Sequence, residues 1–468
     1  MRSFRSIAIA SALLSPLSAE VYLSPDKDSY IVGEHVEVNF SGLESYGADW
    51  IGIFDIGSPN DEYIYWQYTD GTQENNYTFV DSGYLNFSPI SLPVGEYEIR
   101  LFYSNGYEVV RSAPFNVTDS CFEPPSSGFD DTFNVMTFNT WHSAQYGYGG
   151  LERVAEIIAD LDIDIIGFQE TDNASIYDIQ TLLEGYAGYE YMYVAPSSWN
   201  IGILSRFPIL GIYDYNLYGI GASVLLPGAD TLKFVSSHLT AYPYGPYSLY
   251  EGYTIDDVIG DELSTRYIEN LDIYNQILAE PGTIPSAPVI YVGDHNTPSH
   301  LDWGTDNLNQ NFGFEVAWPV SEFLLENDFH DSYREVHPDP YTSPGLTWSP
   351  GYPKDSFDSW DVHDRIDMVY YSDGQDRRLH PIESYTYDCD PWPSDHRAVI
   401  TEFALCIDSI NGDVNYDGGT DILDIVLLVE QVVSGAGSYC LFTLSDMNND
   451  KELNILDIVQ LMNQILSS

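Results

Sequence analysis

The run from Pro288 to Asn296 sets a pattern that recurs through much of this chain. Val289 to Val292 form a short apolar stretch that reads as a buried strand; Gly293 ends it, and Asp294 and Asn296 follow on the turn. Alternate residues leaving a strand point the same way, so a carboxylate and an amide would face one pocket. The first can take a proton from water, and the second can donate to a developing oxyanion. A single Asp-x-Asn after a strand is a common turn, so the weight falls on its recurrence.

Strands are expected at residues 133–138, 164–168, 201–204, 232–236, 288–292, 366–371 and 398–403, with helices over 151–161 and near 262–278. Val154, Ile157, Ile158 and Leu161 share one face of the first helix. Polar residues gather at the strand ends: Asn139, Glu170, His238, Asp294, Asn296, Asp367, Asp395 and His396. α/β folds place their sites there. Taken singly, Asn139 reads as a turn residue, Glu170 as a surface acid and His238 as a core histidine. Asp367 and Asp395 read equally well as partners of Arg365 and Arg397.

Together the strand ends read Thr137-Phe138-Asn139, Gln169-Glu170, Leu204 to Pro208, Ser237-His238-Leu239, Gly293 to Asn296, Arg365-Ile366-Asp367 and Ser394-Asp395-His396. This ordered series resembles the endonuclease/exonuclease/phosphatase family, the deoxyribonuclease-I-like metallohydrolases, over residues 130–405. The resemblance implies a four-layer α/β sandwich and a phosphoester substrate. It implies Glu170 as principal ligand of Mg²⁺ (or Mn²⁺), with Asn139 and Asp395 in or near the same shell. Asp294 matches the group that positions or deprotonates water, Asn296 and His238 match donors to the scissile phosphate, and His396 matches the histidine on the phosphoryl group, oriented by Asp367. A hard cation, an activated water and donors for phosphoryl oxygens are what such chemistry needs. Mg²⁺ keeps several waters, so a sparse ligand set suits it.

Weaker candidates surround this set. Arg206 reads as structural; Trp348 reads as packing or as cleft edge. His142 and His295 sit beside motif residues without being expected ligands. Tyr242 to Tyr247 form an aromatic stretch that is either an ordered surface loop, a lid or a membrane-touching loop.

At 468 residues the chain has room for two or three domains. Arg2 and Arg5 precede the apolar run Ile7 to Leu14 and the small residues Ser18 and Ala19, the pattern of a secretory signal peptide over 1–19. No other stretch is long and apolar enough for a transmembrane helix. A secreted, extracellular protein is expected, attached or not to a cell surface. Residues 20–118 carry short alternating runs, at 36–40, 50–54 and 97–102, separated by turn residues, which predicts an all-β sandwich. Trp50 to Phe54 with Leu92 to Tyr97 resembles the Ig-like fold of SKICH domains, a spacer or a tyrosine-lined platform. A linker is expected over 119–129.

The net charge is −56, with 72 acidic against 16 basic residues. Only Lys and Arg can neutralise several phosphates at once, so composition lends nucleic acid no support as a partner beyond the role of substrate. Four cysteines in an exported chain suggest two disulfides: Cys406–Cys440 with Cys121–Cys389, or an alternative containing Cys121–Cys406.

The last sixty residues contain a duplication. Asp413, Asn415, Asp417 and Asp424 occupy positions 1, 3, 5 and 12 of an EF-hand-type loop, and Asp446, Asn448, Asp450 and Asp457 repeat them. Helices are expected at 425–433 and 458–465. The unit resembles a type I dockerin over 408–466, which implies Ca²⁺ in both loops and a cohesin-bearing partner. Lys451 replaces the usual turn glycine. The pairs Ile422-Leu423 and Ile455-Leu456 are the expected partner contact. The expected whole is a multidomain secreted phosphoester hydrolase, of phosphodiesterase, nuclease or lipid-headgroup type. The rival reading is a non-catalytic scaffold in a dockerin–cohesin complex, beside polysaccharide breakdown.

Overall fold

The computed structural model describes residues 21–467 except 28, 32–35, 44–46, 74–77, 88–91, 93–94, 119–124, 191, 198–199, 216, 229, 279–286, 309–310, 349–361, 390–391 and 436. The expected leader, Cys121 and the first part of the linker thus fall outside the described residues. The chain divides into two compact units, Met1–Cys121 and Phe122–Ser468.

Among its described residues the first unit has eight strands: β1 (Tyr22–Pro25), β2 (Ser29–Ile31), β3 (Val36–Ser41), β4 (Trp50–Asp55), β5 (Tyr65–Tyr68), β6 (Ser82–Phe87), β7 (Gly95–Phe102) and β8 (Val109–Thr118). They form a three-stranded sheet, β1-β3-β6, and a five-stranded sheet, β2-β8-β7-β4-β5, as an Ig-like sandwich requires. Alternation decides which face is inside. Val36, Val38 and Phe40 of β3 are buried and pack with Ile51, Ile53, Ile99 and Leu101 of the other sheet. On the opposite face Trp50 stacks on Phe102 at 4.1 Å, while Tyr63 and Tyr107 meet its ring edge-on, which favours the packing role for these aromatics.

Among its described residues the second unit holds twelve strands: β9 (Thr132–Asn139), β10 (Ile165–Gln169), β11 (Tyr193–Pro196), β12 (Gly202–Ser205), β13 (Ile209–Tyr215), β14 (Gly219–Leu225), β15 (Thr231–His238), β16 (Val289–Asp294), β17 (His330–Asp331), β18 (Asp367–Ser372), β19 (Arg377–Tyr387) and β20 (Ala398–Ile407). Two six-stranded sheets result, ordered β11-β12-β10-β9-β20-β19 and β13-β14-β15-β16-β18-β17. Their inner faces share one core of branched and aromatic side chains, including Val135, Ile165, Ile203, Phe234, Ile290, Val292, Val369 and Phe403. Burying each such side chain contributes roughly 1.5–3 kcal/mol. Gly167 of β10 lets the sheets meet, because a Cβ there would lie 2.4 Å from Val292 of the opposite sheet. Ile273, Val320 and Leu324 of outer helices pack on Val235 and Tyr291, and Ile176 of helix Asn173–Leu183 packs against Gly202 of β12. The molecule's second unit is thus the four-layer sandwich expected.

Two details differ from expectation. The helix expected near 262–278 is three pieces, Ile255–Ser264, Arg266–Ile273 and a π-helical turn Tyr274–Leu278. Thr254 and Asp257 cap the first reciprocally, so it starts earlier, and Thr265 breaks it with φ −124° and ψ −99°. The tail helices also start earlier, at Ile422 and Ile455, and end at Ser434 and Ser467. The expected loop pairs Ile422-Leu423 and Ile455-Leu456 therefore sit on first helical turns.

The tail is bolted to the sandwich. Cys406 of β20 is disulfide-bonded to Cys440, so the pairing Cys121–Cys406 does not form; Cys389 is also disulfide-bonded. Asp131 accepts hydrogen bonds from Ser438 Oγ at 2.7 Å and from the backbone nitrogens of Tyr439 and Cys440, and Phe129 packs on Tyr439 and Phe442.

Candidate active site

Register brings the polar strand ends together. β15 and β16 run parallel with His238 opposite Asp294, and β16 runs antiparallel to β18 with Asp294 opposite Asp367. In the other sheet β9 and β10 run parallel with Asn139 opposite Gln169, one residue before Glu170. Glu170 and Asn296 both turn the chain with positive φ, 53° and 50°, which re-aims their side chains at the end of the sandwich.

The groups converge across the two sheets. Asn139 Nδ2 donates to Asp294 Oδ2 at 3.0 Å and lies 3.4 Å from Glu170 Oε1 and 3.5 Å from His396 Nε2. His396 Nδ1 lies 2.9 Å from Asp367 Oδ2, and its Nε2 lies 3.8 Å from Asp294 Oδ2. His238 Nε2 is 3.5 Å from the same Asp294 oxygen. Asn296 donates its backbone N–H to Asp294 Oδ1 and its side-chain Nδ2 to Leu239 O. All these groups except Asn139 and Asp367 line one cleft of about 440 Å³, with Glu170 and Asp395.

Burial governs the charges here. It would lower the His396 imidazole, but Asp367 and Asp294 beside it hold its pKa well above the usual range, so the ring stays protonated at neutral pH. Burial and then Asp367 raise the Asp294 carboxyl, while His396 and His238 pull it back. Burial raises the Asp395 carboxyl too; His396 opposes this and Glu170 reinforces it.

The competing partners of Asp367 and Asp395 are accounted for. Arg365 bonds Asp302 and Asp331, and Arg397 bonds Asp388. Arg206 is tied to Asp162 and Asp164 over the Tyr189 ring, in the structural role expected. His295 is buried between Tyr291 and Tyr370 with its pKa lowered to about 4 by burial, away from the cleft. His142 does reach the cleft, 3.7 Å from Glu170 Oε2.

Further residues build the wall: Trp303 and Asp364 were not singled out from sequence, whereas Tyr244 belongs to the aromatic stretch from Tyr242 and Ser394 to the motif before His396. Tyr244 is buried, donates to Asp364 Oδ2 at 2.7 Å and lies 5.2 Å from the Trp348 ring, which itself lies 6.4 Å from His396. Trp303 Nε1 also donates to Asp364. Ser394 Oγ donates to Asn139 O and accepts from His396 N, tying the two ends of the site. The segment from Tyr242 is an ordered element: Arg266 donates to Pro243 O and a helix runs Gly245–Tyr250.

The tail loops repeat each other closely, except that the bond to the last acid comes from Asn415 N in the first loop and from Met447 N in the second. Asp413 accepts from Asp417 N and Gly418 N, and Asp424 accepts from Asn415 N; Asp446 accepts from Asp450 N and Lys451 N, and Asp457 accepts from Met447 N. Asp413, Asp424, Asp446 and Asp457 are all buried carboxylates.

The family model of the Endonuclease/Exonuclease/phosphatase family matches residues 136–396, more than half of the chain. The chain belongs to this family. Its members are hydrolases of phosphoester bonds, generally with a divalent metal. The Dockerin type I domain model matches residues 411–466, so the tail is a type I dockerin; dockerins bind calcium, and the domain implies a cohesin partner. An uncharacterized protein of Caenorhabditis elegans is 26% identical over 311 residues, covering 62% of this chain and 96% of that protein. Among solved structures, an endonuclease/exonuclease/phosphatase from Beutenbergia cavernae is similar at 16% identity and TM-score 0.38, covering 59% of this chain and 72% of that one. One from Bacteroides vulgatus is similar at 12% identity and TM-score 0.40, covering 58% and 99%.

The donor set of this endonuclease/exonuclease/phosphatase domain fits a hard divalent cation. Asp395 Oδ1 is buried with no hydrogen-bond partner, and the Glu170 charge bears on it. Two acidic side chains on one cleft with a spare oxygen offer the oxygen ligands that Mg²⁺ selects, whereas Asn139 Oδ1 accepts from Trp141 N and would have to turn to join them. Asp294, Asp367 and His396 also offer ligand atoms within 4.8 Å of one another. A cation there would have to displace the hydrogen bond between Asp367 and His396, so the Glu170 side of the cleft is the better match.

Proposed function

We propose that this protein is an exported, divalent-metal-dependent phosphoester hydrolase that acts on phosphodiesters and docks through its calcium-loaded tail on a cohesin-bearing partner. The observation that carries the reading is one cleft in which Asp294 lies within 4 Å of His396, His238 and Asn139, with His396 held by Asp367.

Glu170, Asn139 and Asp395 would hold Mg²⁺ or Mn²⁺, and the ion, when bound, would polarise a phosphoryl oxygen. Asp294 aligns the attacking water and takes its proton; burial, by raising this carboxyl, suits it to accept one near neutral pH. The His396 imidazolium donates to a phosphoryl oxygen, with its direction set by Asp367. His238 and the second amide proton of Asn296 donate beside it, the first proton being held by Leu239 O.

Domains at 20–118, 130–405 and 408–466, and a leader over 1–19, are part of this proposal. Among the described residues no single helix is long and apolar enough to cross a membrane. Two exposed pairs, Ile422-Leu423 and Ile455-Leu456, at 56–68% exposure, supply the apolar contact for a cohesin. Hydrolysis of bis(4-nitrophenyl) phosphate with Mg²⁺, abolished by EDTA, tests the catalytic half. A folded full chain without activity towards any phosphoester in a panel of DNA, RNA, sphingomyelin, phosphoinositides and sugar phosphates would sink it.

A further inference from the structure

Among the described residues of the second unit, which leave out Lys354, the lysines and arginines are committed elsewhere. All eight of its arginines are bonded to carboxylates: Arg153 to Glu156, Arg206 to Asp162 and Asp164, Arg266 to Glu262, Arg334 to Asp302, Arg365 to Asp302 and Asp331, Arg377 to Asp230, Arg378 to Asp373 and Asp408, and Arg397 to Asp388. Lys233 is buried beside the Tyr213 ring, and Lys451 belongs to the second calcium loop. Among the described residues lining the cleft there is no lysine or arginine; the charged groups are Glu170, Asp294, Asp395 and the histidines.

A nucleic-acid strand presents a phosphate at every nucleotide, and proteins that hold such strands neutralise several of them with Lys and Arg. Here the histidines serve the one scissile phosphate, and any flanking phosphate would meet uncompensated carboxylates or aromatic rings. The rest of the wall is instead flat and uncharged. Trp348, braced by Tyr244 and Tyr247, stands beside His396, and Tyr242, 65% exposed, stands on the rim. Such rings stack on planar or cyclic groups without needing their charge. A volume of about 440 Å³ suits a body of small-ligand size.

We infer that the cleft takes esters bearing a single phosphate on an otherwise uncharged, ring-containing body, and that a polyanionic strand gains no affinity there from its further phosphates. The inference rests on the phosphoester reading above and narrows it.

The test measures binding to the full chain with Mg²⁺ by quenching of tryptophan fluorescence, at 50 and 200 mM salt, for thymidine 5′-monophosphate and for a twelve-nucleotide oligothymidylate. The two probes should bind within ~3-fold of each other, with less than ~3-fold weakening across that salt range. Tyr242→Lys, which adds a cation to the rim, should tighten the oligonucleotide and make its binding salt-dependent. The inference is overturned if the oligonucleotide already binds the unmodified protein ~10-fold more tightly and weakens ~10-fold or more with salt. It is equally overturned if the monophosphate fails to bind at millimolar concentration. Turnover of bis(4-nitrophenyl) phosphate is read separately: no turnover with preserved monophosphate binding sinks the hydrolase reading alone, whereas turnover with steep oligonucleotide binding sinks the substrate class alone.

Discussion

Asp367 Oδ2 lies 2.9 Å from His396 Nδ1, and this contact turns the other ring nitrogen towards Asp294, 3.8 Å away. The acid is itself fixed, because its backbone N–H and that of Ile366 both donate to Thr347 Oγ1. The imidazole is thus a mounted ring rather than a free histidine, which is what the donor role proposed for it requires.

His396→Ala removes that donor and should lower kcat on a chromogenic phosphodiester by about 10²–10³-fold. Asp367→Asn keeps the ring but weakens its charge and its aim, so its loss should be smaller and fall mainly on kcat. Steady-state kinetics on both variants checks this; equal rates for His396→Ala and the parent would exclude the assignment.

Two different cations can be separated by chelator. EGTA in excess Mg²⁺ should strip the tail loops and lower its thermal transition while hydrolysis continues, and EDTA should abolish both. Calorimetry beside the phosphodiester assay reads the two effects independently. Calcium at 1,000 times its Kd would contribute about 4 kcal/mol per site.

Asp364 predicts a pH dependence of stability. Burial raises its carboxyl to about 7, although Tyr244 and Trp303 both donate to it. The folded protein therefore keeps a proton that the unfolded chain, with an ordinary aspartate near 3.9, releases. The contribution, on the order of 4 kcal/mol, is fully present below about pH 4 and is lost as pH rises through about 7. Asp364→Asn is neutral throughout, so the stability of the parent minus that of the variant should fall between pH 4 and 7. Denaturant unfolding at several pH values measures it, and a flat difference would refute the assignment.

Lys451 sits in the second loop with φ 67°, where Gly418 of the first loop has φ 92°. A side chain in that left-handed region costs about 1 kcal/mol, and glycine has no such cost. Lys451→Gly should therefore tighten calcium in the second loop by about 2–5-fold. Isothermal titration would show one of two site affinities moving and the other staying put.

How far the sequence could be read depends on the range of the interaction. The strand ends carrying Asn139, His238 and Asp294 were legible because an apolar run stopping at a polar residue is a local signal. The hairpin of β13 and β14 was not, since Gly211, Gly219 and Gly221 interrupt its alternation. Tyr244 and Asp364 lie 120 residues apart and meet only through the fold, so their pairing was not legible although Tyr244 falls in the aromatic stretch that the sequence offered as a lid. Asp424 was read as a loop ligand and so hid a second role: with Asp421 it forms the capping box that starts its helix three residues sooner. Arg365 and Arg397 offered themselves as partners for Asp367 and Asp395, and only the distant acids Asp302, Asp331 and Asp388 decide otherwise.

The link between Cys406 and Cys440, with Asp131 gripping the start of the neighbouring helix, leaves no slack joint between tail and sandwich. Whatever seizes the two apolar helix starts therefore sets the heading of the cleft as well as its address.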